Sequence, residues 1–166
     1  MCDWLRERWA MRKLKRVVII EKDKRPEGSI NVTKFFIDSF SIQPPKVFED
    51  ARSYLNWICI AIKPRSEPKD YWKFPEETLK DGFGDCEDGA ILLANLLYHS
   101  GFPYWKILVS VYDTPAGFHS VVVYDGEVLD WTNPSIREVP QDWKLWYRFN
   151  ARNAYTTKEH WLEWKK

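Results

Sequence analysis

The chain has 166 residues and almost balanced charge, with 25 Lys and Arg against 24 Asp and Glu for a formal net charge of +1. That length predicts a single domain over residues 1–166, large enough to bury a core without metal or disulfide staples. The charge balance gives no overall electrostatic case for nucleic acid or membrane as a partner, and three cysteines whose spacing suggests neither a disulfide framework nor a zinc site fit a reducing compartment.

Residues 1–30 form a basic and aromatic segment in which Arg6, Arg8, Arg12, Lys13, Lys15 and Arg16 crowd together. A solvated basic face is the simplest reading, because charge runs discriminate poorly between functions. Trp4, Leu5, Trp9 and Leu14 share a stripe that predicts an amphipathic helix over 1–16, followed by a short strand at Val17–Glu21. The longest early apolar run is Val17-Val18-Ile19-Ile20, too short for a signal-peptide core or a membrane span, so a soluble, cytoplasmic protein is expected. Export by another route, or packaging into a particle, leaves no mark in the residues. Gln43-Pro44-Pro45 and the stretch from Lys63-Pro64 to Pro68 read as turns between elements. Between them Tyr54-Leu55-Asn56-Trp57-Ile58-Cys59 reads as helix, with Cys59 a small buried hydrophobe and Asn56 on the solvent face. Trp72 reads as a packed indole.

Gly84-Asp85-Cys86-Glu87-Asp88-Gly89 sets a cysteine between a glycine-rich turn and the apolar run Ala90–Leu97. Asp85 suits an N-cap, and Asp88, three residues on, resembles the far side of a capping box. Cys86 thereby falls at a helix N-terminus, where unpaired N–H groups and the positive end of the macrodipole are expected to favour the nucleophilic thiolate. The helix is expected to end near Ser100-Gly101, where glycine can take the left-handed C-cap conformation and Pro103 blocks continuation. Trp105 to Tyr112 then reads as a strand.

Phe118 to Asp130 reads as a β-hairpin around Asp125-Gly126, a dipeptide suited to a type I′ turn because both central positions need positive φ. Counting outward pairs Tyr124 with Glu127, Val123 with Val128, Val122 with Leu129 and Val121 with Asp130. His119 shares a face with Val121, so His119 and Asp130 become diagonal neighbours, about 7–8 Å apart at Cα and close enough for imidazole to meet carboxylate. A slip of one residue would separate them. Cys86, His119 and Asp130 are thus the candidate nucleophile, base and orienting group. Asp85 and Asp88 read at least as well as helix caps and are left out of this set, since their negative charge opposes a thiolate.

Tyr71-Trp72-Lys73-Phe74-Pro75-Glu76-Glu77-Thr78-Leu79, Gly82-Phe83-Gly84-Asp85-Cys86-Glu87-Asp88, His119-Ser120-Val121-Val122 and Leu129-Asp130 together resemble the transglutaminase-like superfamily. Within it they are most similar to the bacterial transglutaminase-like cysteine proteinases, over about residues 50–135. The resemblance implies an α+β, papain-like core in which the nucleophile's helix packs on an antiparallel β-sheet carrying His and Asp. It implies a thiol enzyme acting on carboxamide bonds through a thioester acyl-enzyme, most simply peptide or isopeptide hydrolysis. Transamidation, deamidation and a catalytically silent peptide-binding module stay open. It also suggests Asn56 as an oxyanion donor beside the backbone N–H of Cys86. Neither a cofactor nor a metal is expected, and the expected partner is a peptide or protein substrate.

The segment 136–166 continues an aromatic run of Trp131, Trp143, Trp146, Tyr147, Phe149, Tyr155, Trp161 and Trp164. Large aromatics pack onto cores or interfaces more often than they line clefts. An exposed patch of them would mark a protein partner.

Overall fold

A computed structural model describes residues 11–14, 18–19, 30–38, 47–67 and 71–157. The expected helix over 1–16 lies outside it up to residue 10, as do Gln43-Pro44-Pro45, Trp161 and Trp164. Residues Met11–Leu14 are not helical. They form strand β1, paired antiparallel with β10, Ala154–Thr157. An amphipathic stripe cannot report that pairing, whose partner lies at the other end of the chain. Val18–Ile19 is a strand as expected (β2), paired with β3, Ile30–Asn31.

Helix α1, Ala51–Ala61, starts where Asp50 accepts hydrogen bonds from the Ser53 backbone N–H at 2.9 Å and hydroxyl at 2.7 Å. It buries Ala51, Tyr54, Leu55 and Ile58. After it, Lys63–Pro64 is a short strand rather than a turn (β4), running parallel to β5, Phe83–Gly84. Proline is tolerated because the N–H groups of Lys63 and Arg65 reach the carbonyls of Gly82 and Gly84, while Pro64 has no donor to place. Helix α2, Pro75–Asp81, has proline at its start and stops at Gly82, whose φ of 71° is left-handed.

Helix α3, Cys86–His99, is the centre of the molecule. Leu92, Leu93 and Leu97 are fully buried and Ile91 and Leu96 almost so; burying each stabilises the fold by roughly 1.5–3 kcal/mol. The helix ends as expected at Ser100-Gly101. The Phe102 N–H returns to the Leu97 carbonyl and the Gly101 N–H to that of Tyr98, which is the paired bonding of a Schellman motif. Trp105 falls in a 3₁₀ turn, Tyr104–Lys106, not in the strand that follows.

The main sheet has six strands in the order β1-β10-β9-β6-β7-β8, where β6 is Ile107–Thr114, β7 Gly117–Tyr124, β8 Glu127–Leu129 and β9 Lys144–Phe149. Neighbours within it run antiparallel. Helix α3 packs on β6 and β7, with α1 and α2 beside it. Val109, Val111, Val122 and Leu129 join the core on the α3 side, while Tyr112, Val121, Val123 and Val128 form a second cluster with Ile136, Val139 and Trp143. This is the mixed helix and antiparallel sheet architecture anticipated from the sequence.

Candidate active site

The hairpin register is the expected one. Val122 faces Leu129, Val123 faces Val128 and Tyr124 faces Glu127. Asp125 and Gly126 have φ of 50° and 89°, the two positive values of a type I′ turn. Asp130 follows directly on β8, and its Oδ2 lies 2.7 Å from Nε2 of His119. A carboxylate only accepts, so Nε2 carries the hydrogen and Nδ1 is the bare nitrogen of the neutral ring.

The other oxygen of Asp130 is equally occupied. Oδ1 accepts the backbone N–H of Thr132 at 2.9 Å, the Thr132 hydroxyl at 2.8 Å and the Asn133 N–H at 3.1 Å. Burial pushes this carboxyl upward, but the hydrogen bonds from His119 and Thr132 outweigh it and hold Asp130 below its ordinary value. Asp favours such local bonds to the chain ahead of it, so Asp-x-Thr-Asn is a signal that could have pointed to this turn; the sequence reading missed it. Trp143 meets the imidazole of His119 edge-on, with ring centroids 5.1 Å apart.

Cys86 is the first residue of α3. The Ser120 N–H, next along β7 from His119, is directed at its sulfur. The thiol donates to Oε2 of Glu87 at 3.3 Å. Burial above all, then the charges of Glu87 and Asp85, push the thiol up from its ordinary value. Burial and the neighbouring acids thus oppose the thiolate that the helix N-terminus was expected to favour. Glu87 is itself raised, by burial first and then by the charge of Asp85.

Two glycines let the parts approach. A Cβ on Gly89 would lie 2.2 Å from the Trp131 ring, and one on Gly84 would lie 2.6 Å from Cβ of Asp88. Trp131 uses the space to donate its indole N–H to the Cys86 carbonyl at 3.1 Å, and its own carbonyl accepts the Cys59 thiol at 3.3 Å. One residue after Asp130, it ties the hairpin to the nucleophile's helix. Sequence reasoning missed this role, because an indole hydrogen bond to a carbonyl 45 positions away has no local signature.

Asp85 is the N-cap residue, and Asp88 returns to its backbone N–H at 3.3 Å. Asp88 is completely buried; Oδ1 also accepts the Lys73 N–H at 2.8 Å. The Lys73 ammonium lies 2.7 Å from Glu67, 3.3 Å from Asp81 and 3.8 Å from Asp88. Asn56 is exposed on α1, one turn before Cys59. Trp72 is buried against Phe35. Beside His119 and Asp130 a cleft of about 420 Å³ opens, lined also by Thr114, Phe118, Asp142 and Trp143.

Residues 54–166 match the family model for bacterial transglutaminase-like cysteine proteinases. The chain belongs to that family. Among solved structures it is similar to LapG of Legionella pneumophila. The EGTA-treated form aligns at 25% identity and a TM-score of 0.60, covering 67% of each chain. The calcium-bound form aligns at 26% identity and a TM-score of 0.59, covering 65% of this chain and 67% of LapG. No curated protein matches the chain. Family and fold together make this a transglutaminase-like cysteine protease with a papain-like core, and its substrate a protein or peptide. No helix among the described residues is long and apolar enough to cross a membrane.

Proposed function

We propose that the chain hydrolyses peptide or isopeptide bonds with Cys86 as nucleophile, His119 as base and Asp130 as the group that orients the base. One observation carries this reading: Asp130 fixes the ring of His119 through Nε2 at 2.7 Å, leaving Nδ1 as the nitrogen that takes a proton. Reaction begins when the Cys86 S–H turns from Glu87 to that nitrogen. The sulfur attacks the carbonyl carbon as the proton passes to Nδ1, and His119 returns that proton to the departing nitrogen as the C–N bond breaks. Water, losing its proton to His119, attacks the thioester; the acid leaves and the thiol recovers its hydrogen.

Because the resting thiol is raised, the imidazole is needed to make the nucleophile. Imidazolium formed beside the Asp130 carboxylate is stabilised by it. The backbone N–H of Cys86, one of the orphan donors of a helix start, and the Asn56 carboxamide are the proposed oxyanion donors. The cleft beside His119, with Phe118 and Trp143 on its wall, is proposed to take substrate side chains.

LapG has been solved with calcium, and here carboxylate oxygens of Glu67, Asp85 and Asp88 lie within 4.8 Å of one another. Calcium needs six to eight oxygens at about 2.3–2.6 Å. The Lys73 ammonium already stands against Glu67 and faces Asp88, and like charges about 4 Å apart repel by about 4 kcal/mol per unit charge pair near a protein surface. These residues do not fit calcium in that place, and no step above runs through a metal.

The test is intact-mass spectrometry of acid-quenched mixtures with a peptide library. A thioester adduct on Cys86 and products ending in free carboxylates are expected, with neither formed by Cys86→Ala. Cleavage by Cys86→Ala at the rate of the unaltered chain would overturn the proposal, and products joined to added amines would make the enzyme a transglutaminase.

A further inference from the structure

We propose that Lys73 is a tethered cation that holds the nucleophile's helix in place, so that the site assembles without a divalent metal. This rests on the reading of Cys86 as nucleophile. The ammonium touches four separate parts of the chain. It pairs with Glu67 after β4 at 2.7 Å and with Asp81 at the end of α2 at 3.3 Å, and it faces Asp88 in the first turn of α3 at 3.8 Å. It donates to the Phe83 carbonyl at 3.1 Å and lies 4.1 Å from the centre of the Phe83 ring.

The lysine is fixed rather than free to swing aside. Its side chain is 4% exposed, and its own backbone N–H bonds the carboxylate that its ammonium faces. Phe83 and Gly84 lead straight into Asp85 and Cys86, and Asp88 lies two residues beyond the thiol. Gathering these segments by their carboxylates and one carbonyl is what a multidentate cation does with oxygen ligands; here the charge arrives on a side chain. Lys73 therefore acts through Asp88 and Phe83 as a positioning residue, and it makes no contact with the reacting atoms.

The experiment uses the full chain and three variants, Lys73→Ala, Lys73→Gln and Lys73→Arg. It measures calcium binding by calorimetry, melting temperature in EGTA and in excess calcium chloride, and iodoacetamide labelling of Cys86. The unaltered chain and Lys73→Arg are expected to bind no calcium and to melt and label equally in both solutions. Lys73→Ala and Lys73→Gln, with the carboxylates freed, are expected to gain a calcium-dependent rise in melting temperature of about 5 °C or more. Calcium binding by the unaltered chain, or its loss of Cys86 labelling in EGTA, would overturn the inference while leaving the Cys86 reading intact. So would Lys73→Ala and Lys73→Gln that fold without responding to calcium. If neither of these variants folds in either solution, the unaltered chain alone decides. Binding and melting are read independently of catalysis, so failure of the proposed chemistry would appear separately, as Cys86 labelling of a His119→Ala control at the rate of the unaltered chain.

Discussion

Asp130 divides its work between its two oxygens, one fixing the ring of His119 and the other fixing the turn at Thr132 and Asn133. Asp130→Asn offers an amide in place of an acceptor and favours the wrong tautomer, so turnover should fall by roughly a hundredfold or more, measured on any peptide the unaltered enzyme cleaves. The same residue gives a pH dependence. Its folded value is depressed, so its contribution to stability is full above the ordinary carboxylate value of 3.8 and is lost as pH falls through the lower folded one. Thermal melts of Asp130→Asn should show a shallower acid limb. Cys86 has the opposite sign: its folded value is raised, so its contribution is full below 9.0 and declines as pH climbs above that. Above pH 9.0, the ordinary thiol value, the chain should lose stability relative to Cys86→Ser. Equal alkaline limbs would contradict the buried neutral thiol.

At the scale of elements, the nucleophile's helix and the His–Asp hairpin are joined by Trp131 resting on Gly89. Glycine inside a helix costs about 1 kcal/mol relative to alanine, and here the close approach of the indole requires it. Gly89→Ala should therefore move Trp131 off the Cys86 carbonyl, lowering activity at least tenfold and changing the Trp fluorescence, despite its better helix propensity. Retained activity would show that the tie is dispensable. Leu93→Ala, buried between sheet and helices, should cost about 2–5 kcal/mol in denaturant unfolding and leave the chemistry of the surviving folded fraction unchanged.

For the whole molecule, what the sequence made legible was local. The Asp125-Gly126 turn set a register that the strands follow, and Gly101 marked the end of α3. Long-range pairings were illegible: β1 with β10, and Lys63–Pro64 beside Phe83–Gly84, join segments whose partners periodicity cannot name. The candidate site divides the same way. The meeting of His119 with Asp130 followed from counting along one hairpin. The raised thiol of Cys86 did not, because it depends on burial and on Glu87 and Asp85 in three dimensions. The acids beside Cys86 were read as helix caps, which Asp85 and Asp88 are, but the lysine among them comes from a segment ahead of α2 and no spacing rule points to it.

Whether His119 activates Cys86 is decided by the rate of iodoacetamide labelling at Cys86, read by peptide mass spectrometry at neutral pH for the unaltered chain, His119→Ala and Asp130→Asn. With the thiol raised by burial, labelling should require the imidazole as base, so His119→Ala should fall by about tenfold or more and Asp130→Asn should lie between. Equal rates in all three proteins would mean that His119 does not activate Cys86, and the proposed mechanism would fail.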